Sequence, residues 1–326
     1  MKLLILLLLI LFTNESYSEV WESINIPNYE GRINSIYFIN ETTGFATGVG
    51  NIWKTTNKGT NWSSTKVSSP LISYTSLKMS NDSIGYVTGN SGYFMKSTDS
   101  GNNWVYIYIP NVDDLYNIYC FSENELLVFG RYGKIVRTTN GGNSWINLSI
   151  ETVATFRDAI FKNDIGYIVS SNSNFKSLWK STNKGSNWQE QDIGRDIIGR
   201  SICLTNSGFL YILGTEIRIP NFQGIIGRST NLGISWSFQN FQNPSISFYG
   251  MDFADDRVGY CLEAGNPSKI YKTIDSGNSW NKKDSLSQNL SQIYCKNNYV
   301  YVYGDSGNIF RAEVNTSNVI SMNSII

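Results

Sequence analysis

The nonapeptide Lys54-Thr55-Thr56-Asn57-Lys58-Gly59-Thr60-Asn61-Trp62 returns five more times along the chain, at Lys96–Trp104, Arg137–Trp145, Lys180–Trp188, Arg228–Trp236 and Lys272–Trp280. The shared frame is Ser/Thr-x-Asp/Asn-x-Gly-x-x-Trp, and the tryptophans are spaced by 42, 41, 43, 48 and 44 residues. A fixed period of this size marks a repeat architecture, in which each unit buries its apolar face against the next. Upstream of each box lie an alternating apolar stretch, such as Ser35–Ile39, and a glycine-flanked one, such as Gly44–Gly48; Leu77–Met79 with Gly85–Gly89, and Met251–Phe253 with Gly259–Leu262, repeat the pattern. Two strands before the box, one entering it and one leaving it give four short strands per period, the signature of a β-propeller blade.

Six boxes leave a seventh blade to be assembled from both ends. Gln292–Cys295, Tyr299–Tyr303 and Gly307–Arg311 supply three strands without a box, and Trp21 lies one period, 41 residues, before Trp62. The N-terminal strand is therefore expected to complete the last blade and close the ring, which removes the sheet edges. The fold predicted is all-β, one seven-bladed propeller over residues 19–314, followed by a polar-then-apolar tail at 315–326. Residues 1–18 read as a cleaved secretory signal peptide: Lys2 is basic, Leu3–Phe12 is apolar, and Ser16-Tyr17-Ser18 offers small residues ahead of Glu19. Ten apolar residues are too few to span a bilayer, which takes about 20. The chain is thus expected outside the cytoplasm, in a periplasmic, extracellular or lumenal compartment.

Composition narrows the chemistry. Aromatics make up 14% and charged residues 16% of the 326 residues, the profile of strands and turns. The absence of histidine excludes a Ser-His-Asp triad, a Cys-His dyad and a His-ligated metal. Lys and Arg total 26, as do Asp and Glu, so a partner bound by phosphate neutralisation is not expected. No cofactor, metal or nucleic acid is implied.

Within each box, the Asp or Asn side chain is expected to accept backbone N–H groups two residues on, and the glycine to supply a positive φ. Asn57, Asn140, Asn183 and Asn231 outnumber Asp99 and Asp275. A catalytic or metal-binding role would need the carboxylate, whereas a turn needs only an acceptor oxygen, so the boxes read as structural. Trp62, Trp104, Trp145, Trp188, Trp236 and Trp280 should pack into the blades. A basic residue opens every box, with Arg311 in the equivalent place of the last blade; these seven cations form either a ring for an acidic partner or solvated strand positions paired with local carboxylates.

These boxes resemble the Asp-box, or BNR, repeat. With Gly48-Val49-Gly50-Asn51-Ile52 and Gly130-Arg131-Tyr132-Gly133 ahead of them, they are most similar to photosystem II stability and assembly factor-like propellers. That resemblance implies a seven-bladed, exported, non-enzymatic scaffold that binds a protein partner, membrane-bound or extracellular, as a monomer. The alternative within the Asp-box group is a carbohydrate-active protein, a sialidase-like hydrolase or a glycan binder. A sialidase should carry three arginines, a Tyr/Glu pair and an early Arg-Ile-Pro motif; Ile217-Arg218-Ile219-Pro220 comes only after four boxes.

Binding residues are sought on loops of the face opposite the boxes, where Ser170–Ser177, Gly214–Gly227 and Ala264–Lys269 read as enlarged. Near that face the inner strands begin with Arg32, Tyr116, Arg157, Arg200 and Tyr249, expected to line the channel mouth, with Asp114, Asp158 and Asp252 close in sequence. No catalytic residue is assigned. Cys120, Cys203 and Cys295 read as buried first-strand residues, and Cys261 with Cys295 is the one pair placed for a disulfide.

Overall fold

A computed structural model describes residues 19–65, 67, 71–171, 177–218, 221–241 and 247–314. The expected leader (1–18) and tail (315–326) lie outside them. The described residues form seven four-stranded antiparallel sheets in a ring, with a single 3-10 turn at Asn90–Gly92. In blade one the strands are Ile33–Phe38 (innermost), Gly44–Gly48, Ile52–Thr55 and Ser63–Ser64 (outermost). Blade seven takes Leu290–Lys296, Tyr299–Gly304 and Ile309–Glu313 from the C-terminal end and Glu22–Ser23 from the N-terminal end.

Every residue of the second strand is buried in blades one, two, three and six, because each sheet has a neighbour on both faces. The core is accordingly divided into seven apolar clusters, one between each pair of blades; Phe45 and Ile52 of blade one, for example, pack with Tyr74, Leu77, Val87 and Met95 of blade two.

All six boxes share one hydrogen-bond pattern. In the first, the Thr55 hydroxyl donates to Asn57 Oδ1 (2.9 Å) and accepts from the Gly59 N–H (3.0 Å), while Asn57 Oδ1 also accepts from the Asn61 N–H (2.9 Å). The acceptor thus reaches four residues on, not two, and the turn needs two successive positive φ angles, 62° at Lys58 and 86° at Gly59. Glycine is required at the second because Ile24 comes within 2.7 Å of where a Cβ would sit. The turn works alike with Asp: Asp99 Oδ1 accepts from the Asn103 N–H (2.9 Å), and the Asn103 side chain heads the hydrogen bonds that hold the Asp99 pKa at about 2. Most of the tryptophans pack edge-on against aromatic rings, often of the preceding blade (Trp104 on Phe45, Trp145 on Phe94, Trp188 on Phe129), whereas Trp236 stacks on Phe238.

Ring closure is short in strand but well anchored. Glu22 and Ser23 pair with Arg311 and Phe310; the Ile24 N–H donates to the Ile309 carbonyl (2.9 Å), Ile24 and Ile26 are buried, and Trp21 Nε1 donates to Asp284 Oδ2 (3.1 Å).

The expected loops come out differently. Gly214–Gly227 is mostly paired strand: Leu210–Arg218 and Asn221–Ser229 form a long hairpin in register to Arg218 opposite Asn221, so the extra residues continue the blade upward. Ala264–Lys269 is a tight connection between Gly259–Glu263 and Ser268–Thr273. Residues 172–176 and 219–220, and with them part of the Ile217–Pro220 match, lie outside the described set. The four cysteines are free thiols, so the Cys261–Cys295 pair is not a disulfide. Cys203 sits one position earlier on its strand than Cys120 and Cys295, in register with Asp252, and lines the channel.

Candidate binding face at the channel mouth

The innermost strand of every blade carries one extra residue near its start, a β-bulge at Asn34, Thr75, Tyr116, Arg157, Arg200, Tyr249 and Ser291. A bulge leaves its residue unpaired and re-aims the side chain. The ring is not uniform. Asn34 donates to the Tyr74 carbonyl (3.0 Å) and Thr75 to the Leu115 carbonyl (2.6 Å), so these short side chains tie one blade to the next. Blades three to six instead present two tyrosines and two arginines.

These four form a connected group. The Arg157 guanidinium lies 4.9 Å from the Tyr116 ring centroid and Arg200 lies 5.1 Å from that of Tyr249. Burial, followed by the charges of Arg200 and Arg131, outweighs Tyr116 and draws the Arg157 pKa down. Arg157 Nε donates to Ser171 Oγ (3.0 Å). Asp114 anchors the outer side, accepting from the Ser91 N–H (2.9 Å) and from the Tyr116 hydroxyl (3.4 Å), with Arg131 Nη1 3.8 Å away and Arg131 stacked over Tyr132. Arg32 does not join them. It precedes the blade-one bulge by two residues and lies 4.0 Å from Asp305, exposed to solvent.

Asp158 and Asp252 line the same cavity as Tyr116, Arg157 and Arg200, but their carboxylates are engaged by neighbouring strands. Asp158 Oδ1 accepts from Asn117 Nδ2 and the Ala159 N–H (both 2.9 Å), and Oδ2 from the Ile202 N–H (3.1 Å) and Ser201 Oγ (3.3 Å). Asp252 accepts from the N–H groups of Phe253 (2.8 Å) and Cys295 (2.7 Å). Both stitch inner strands together below the rim. Burial raises the Asp252 pKa to about 6, the backbone N–H of Cys295 and Phe253 opposing it. The native state therefore holds this proton between the unfolded carboxyl value of about 4 and the folded value of about 6, and stability falls as pH rises through that window. Asp252→Asn is expected to flatten that part of the profile; urea unfolding at pH 4, 5, 6 and 7 checks it, and an unchanged slope would refute the assignment.

The six basic residues that open the boxes, and Arg311 in the equivalent place, are engaged within the fold. Each lies over an aromatic ring, from Lys54 above Phe45 (5.9 Å) to Arg311 above Tyr299 (5.0 Å). Most then cross to the next blade's box: Lys54 Nζ to the Ser100 carbonyl (2.7 Å), Lys96 to Gly141 (3.0 Å), Lys180 to Leu232 (3.1 Å), Arg137 to Ser186 Oγ (3.1 Å) and Arg311 to Lys58. Blade seven has no box for Lys272 to reach, and there the Glu19 carboxylate takes its place, accepting from Lys272 Nζ at 2.6 Å. Carboxylates pair with Arg137, Lys272 and Arg311, as one sequence reading expected, while the blade-to-blade staples to the next box were not anticipated.

Chemically, the mouth offers cations and amphipathic rings suited to carboxylates and flat groups. It does not offer an activated tyrosine: burial, then the Asp114 charge, raise the Tyr116 pKa, the opposite of what a nucleophile needs. No group of three or more acidic, cysteine or histidine side chains able to hold a metal occurs among the described residues. The strand starts picked from sequence found Tyr116, Arg157, Arg200 and Tyr249. Arg131 was missed; it lies in the turn after the second strand of blade three and reaches the cluster only through packing between blades.

A family profile described as photosynthesis system II assembly factor YCF48 matches residues 13–313. No curated protein sequence matches the chain. Among solved structures, one described as YCF48 bound to D1 peptide is 18% identical, with 90% of this chain and 94% of that chain covered at a TM-score of 0.74. YCF48 from Cyanidioschyzon merolae is 19% identical, covering 90% and 98% at 0.73. Virginiamycin B lyase from Staphylococcus aureus is 15% identical, covering 90% and 99% at 0.72. At these identities the likenesses concern the fold.

Proposed function

The chain belongs to the photosystem II assembly factor YCF48 family, and from that premise we propose that it is an exported, non-enzymatic scaffold that binds an acidic segment of a protein partner across the channel mouth of blades three to six. The observation that carries this reading is the asymmetric bulge ring: Tyr116, Arg157, Arg200 and Tyr249 occupy four consecutive blades where the other three have Asn, Thr and Ser. Tyrosine and arginine are among the residues most enriched at the energetic centres of interfaces. The YCF48 structure solved with a D1 peptide supports a peptide as the kind of ligand. Export rests on the leader reading of residues 1–18, and the protein acts as a monomer.

The test is affinity capture from the native envelope with residues 19–326, in wild-type and Arg157→Ala/Arg200→Ala forms. Charged hydrogen bonds contribute about 1.5–3 kcal/mol each, so capture of the same partner is expected to weaken at least about tenfold, and to weaken further with salt. Undiminished capture by the double variant would remove the mouth as the site. Glycan retention without a protein partner would favour the carbohydrate-binding alternative.

A further inference from the structure

Asn140-Gly141 is the only Asn-Gly pair in the chain, and it falls inside the third box. In the other five boxes the place of Gly141 is taken by Lys58, Ser100, Lys184, Leu232 and Ser276, each at a positive φ between 55° and 62°. A side chain is therefore compatible with this turn, and the backbone does not demand the glycine. What the glycine changes is the chemistry of the asparagine before it. With no Cβ in the way, the Gly141 nitrogen has open access to the side-chain carbonyl carbon of Asn140.

In the folded protein the polar atoms of that reaction are all held. The Gly141 N–H, the nucleophile once deprotonated, donates to the Asn124 carbonyl (2.9 Å). Asn140 Oδ1 accepts from the Thr138 hydroxyl and the Ser144 N–H (both 2.9 Å), and Nδ2, the leaving group, donates to Ser144 Oγ (2.8 Å). Gly141 is buried, and its carbonyl accepts from Lys96 Nζ of blade two (3.0 Å). Closing a ring from the Gly141 nitrogen to Asn140 Cγ breaks these bonds. The reaction therefore proceeds from an opened turn, at a rate set by how often the turn is open.

We infer that Asn140 is a site of spontaneous deamidation gated by the third box. In the opened turn a solvent base takes the Gly141 amide proton, the nitrogen bonds to Asn140 Cγ, and the Cγ–Nδ2 bond breaks to release ammonia, leaving a succinimide. Water then opens the ring: breaking the new bond to Cγ gives aspartate, and breaking the original peptide bond gives isoaspartate. The two products differ in fate. Aspartate seats as in boxes two and six, where Asp99 Oδ1 accepts from the Asn103 N–H and Asp275 Oδ1 from the Ser279 N–H (both 2.9 Å). The Ser144 hydroxyl needs only to turn from acceptor to donor, the role Ser279 Oγ has toward Asp275 Oδ2 (2.6 Å). Isoaspartate moves a methylene from the side chain into the main chain, so its carboxylate falls short of the Ser144 N–H and the box is not remade. Opening of blade three thus leaves a lasting chemical mark.

Peptide mass spectrometry of residues 19–326, incubated at mildly alkaline pH in buffer and in guanidinium chloride, tests this. In denaturant Asn140 is expected to lose its amide faster than Asn57, Asn183 and Asn231, and at least about tenfold faster than in the native protein. Gly141→Ser, which places at this turn the residue of boxes two and six, should slow the reaction in denaturant. That comparison is made on unfolded chains and holds whether or not the variant folds. On dilution from denaturant, the refolded fraction should carry asparagine and aspartate at position 140, while isoaspartate stays with the chains that do not refold. Asn140→Asp should unfold at the wild-type denaturant midpoint. No lead of Asn140 over the other box asparagines, or a rate undiminished by Gly141→Ser, overturns the site. Equal rates in buffer and denaturant overturn the gating. Isoaspartate at equal abundance in the refolded fraction, or a lowered midpoint for Asn140→Asp, overturns the difference between the two products.

Discussion

Lys272→Met should lower the unfolding free energy by about 3–5 kcal/mol, the cost of leaving one member of a buried ion pair behind. The side chains of Lys272 and Glu19 are only 5% and 1% exposed, and Glu19 Oε1 also accepts from the Tyr260 hydroxyl at 3.0 Å. Among the described residues Glu19 Oε2 is buried without a hydrogen-bond partner, so the carboxylate has little else to hold it once the ammonium is gone. Burial, then the Glu19 charge, push the Tyr260 hydroxyl pKa upward, which keeps that hydroxyl a donor. Marginally stable domains have roughly 5–15 kcal/mol in total, so the loss should show plainly in urea unfolding. Adding Glu19→Gln to Lys272→Met should recover part of it, since the stranded charge is then removed. A double variant no more stable than Lys272→Met would mean that Glu19 is not seated in the place of the seventh box.

Trp104→Ala should cost about 3–5 kcal/mol, and more than the same change at Trp236. Trp104 is 5% exposed, lies edge-on to Phe45 at 6.3 Å, and joins blades one and two through the cluster that includes Met79 and Val87. Trp236 is only partly buried against its cluster. Among the described residues the Trp104 indole N–H finds no acceptor, so Trp104→Phe should retain most of the stability: it keeps a ring and removes an unmet donor. Denaturant midpoints for the three variants decide this. Equal losses for Trp104→Ala and Trp236→Ala would show that burial does not rank the boxes.

The architecture was legible because the box states its own geometry. Thr55, Asn57, Gly59 and Trp62 stand at fixed separations since one turn must satisfy one hydroxyl, one side-chain acceptor and two successive positive φ angles, the second at glycine. Repetition of that local solution fixed the number of blades, and Trp21 fixed the closing strand. The candidate site was half legible. Large residues at the starts of inner strands pointed to Tyr116, Arg157, Arg200 and Tyr249, yet the same rule admitted Arg32, which the bulge at Asn34 leaves outside. Asp158 and Asp252 read as channel-mouth carboxylates, but their acceptors are used by the next blade's backbone.

Periodicity and turn chemistry act between near neighbours in the chain, so the sequence by itself determined the strands, the boxes, the blade count and the way the ring closes. What a charge does depends on neighbours contributed by other blades, far off in sequence, and only the tertiary structure decided that. Lys54 and Lys78 are both strand lysines in alternating apolar stretches. One is spent on the Ser100 carbonyl of the next blade, while the other lies over the Tyr37 ring and shares the central cavity with Asp158 and Asp252. Glu19 likewise reads as an ordinary acidic residue near a chain end until the ring closes and brings Lys272 to it. Packing between blades brings such partners together, and no local pattern encodes it.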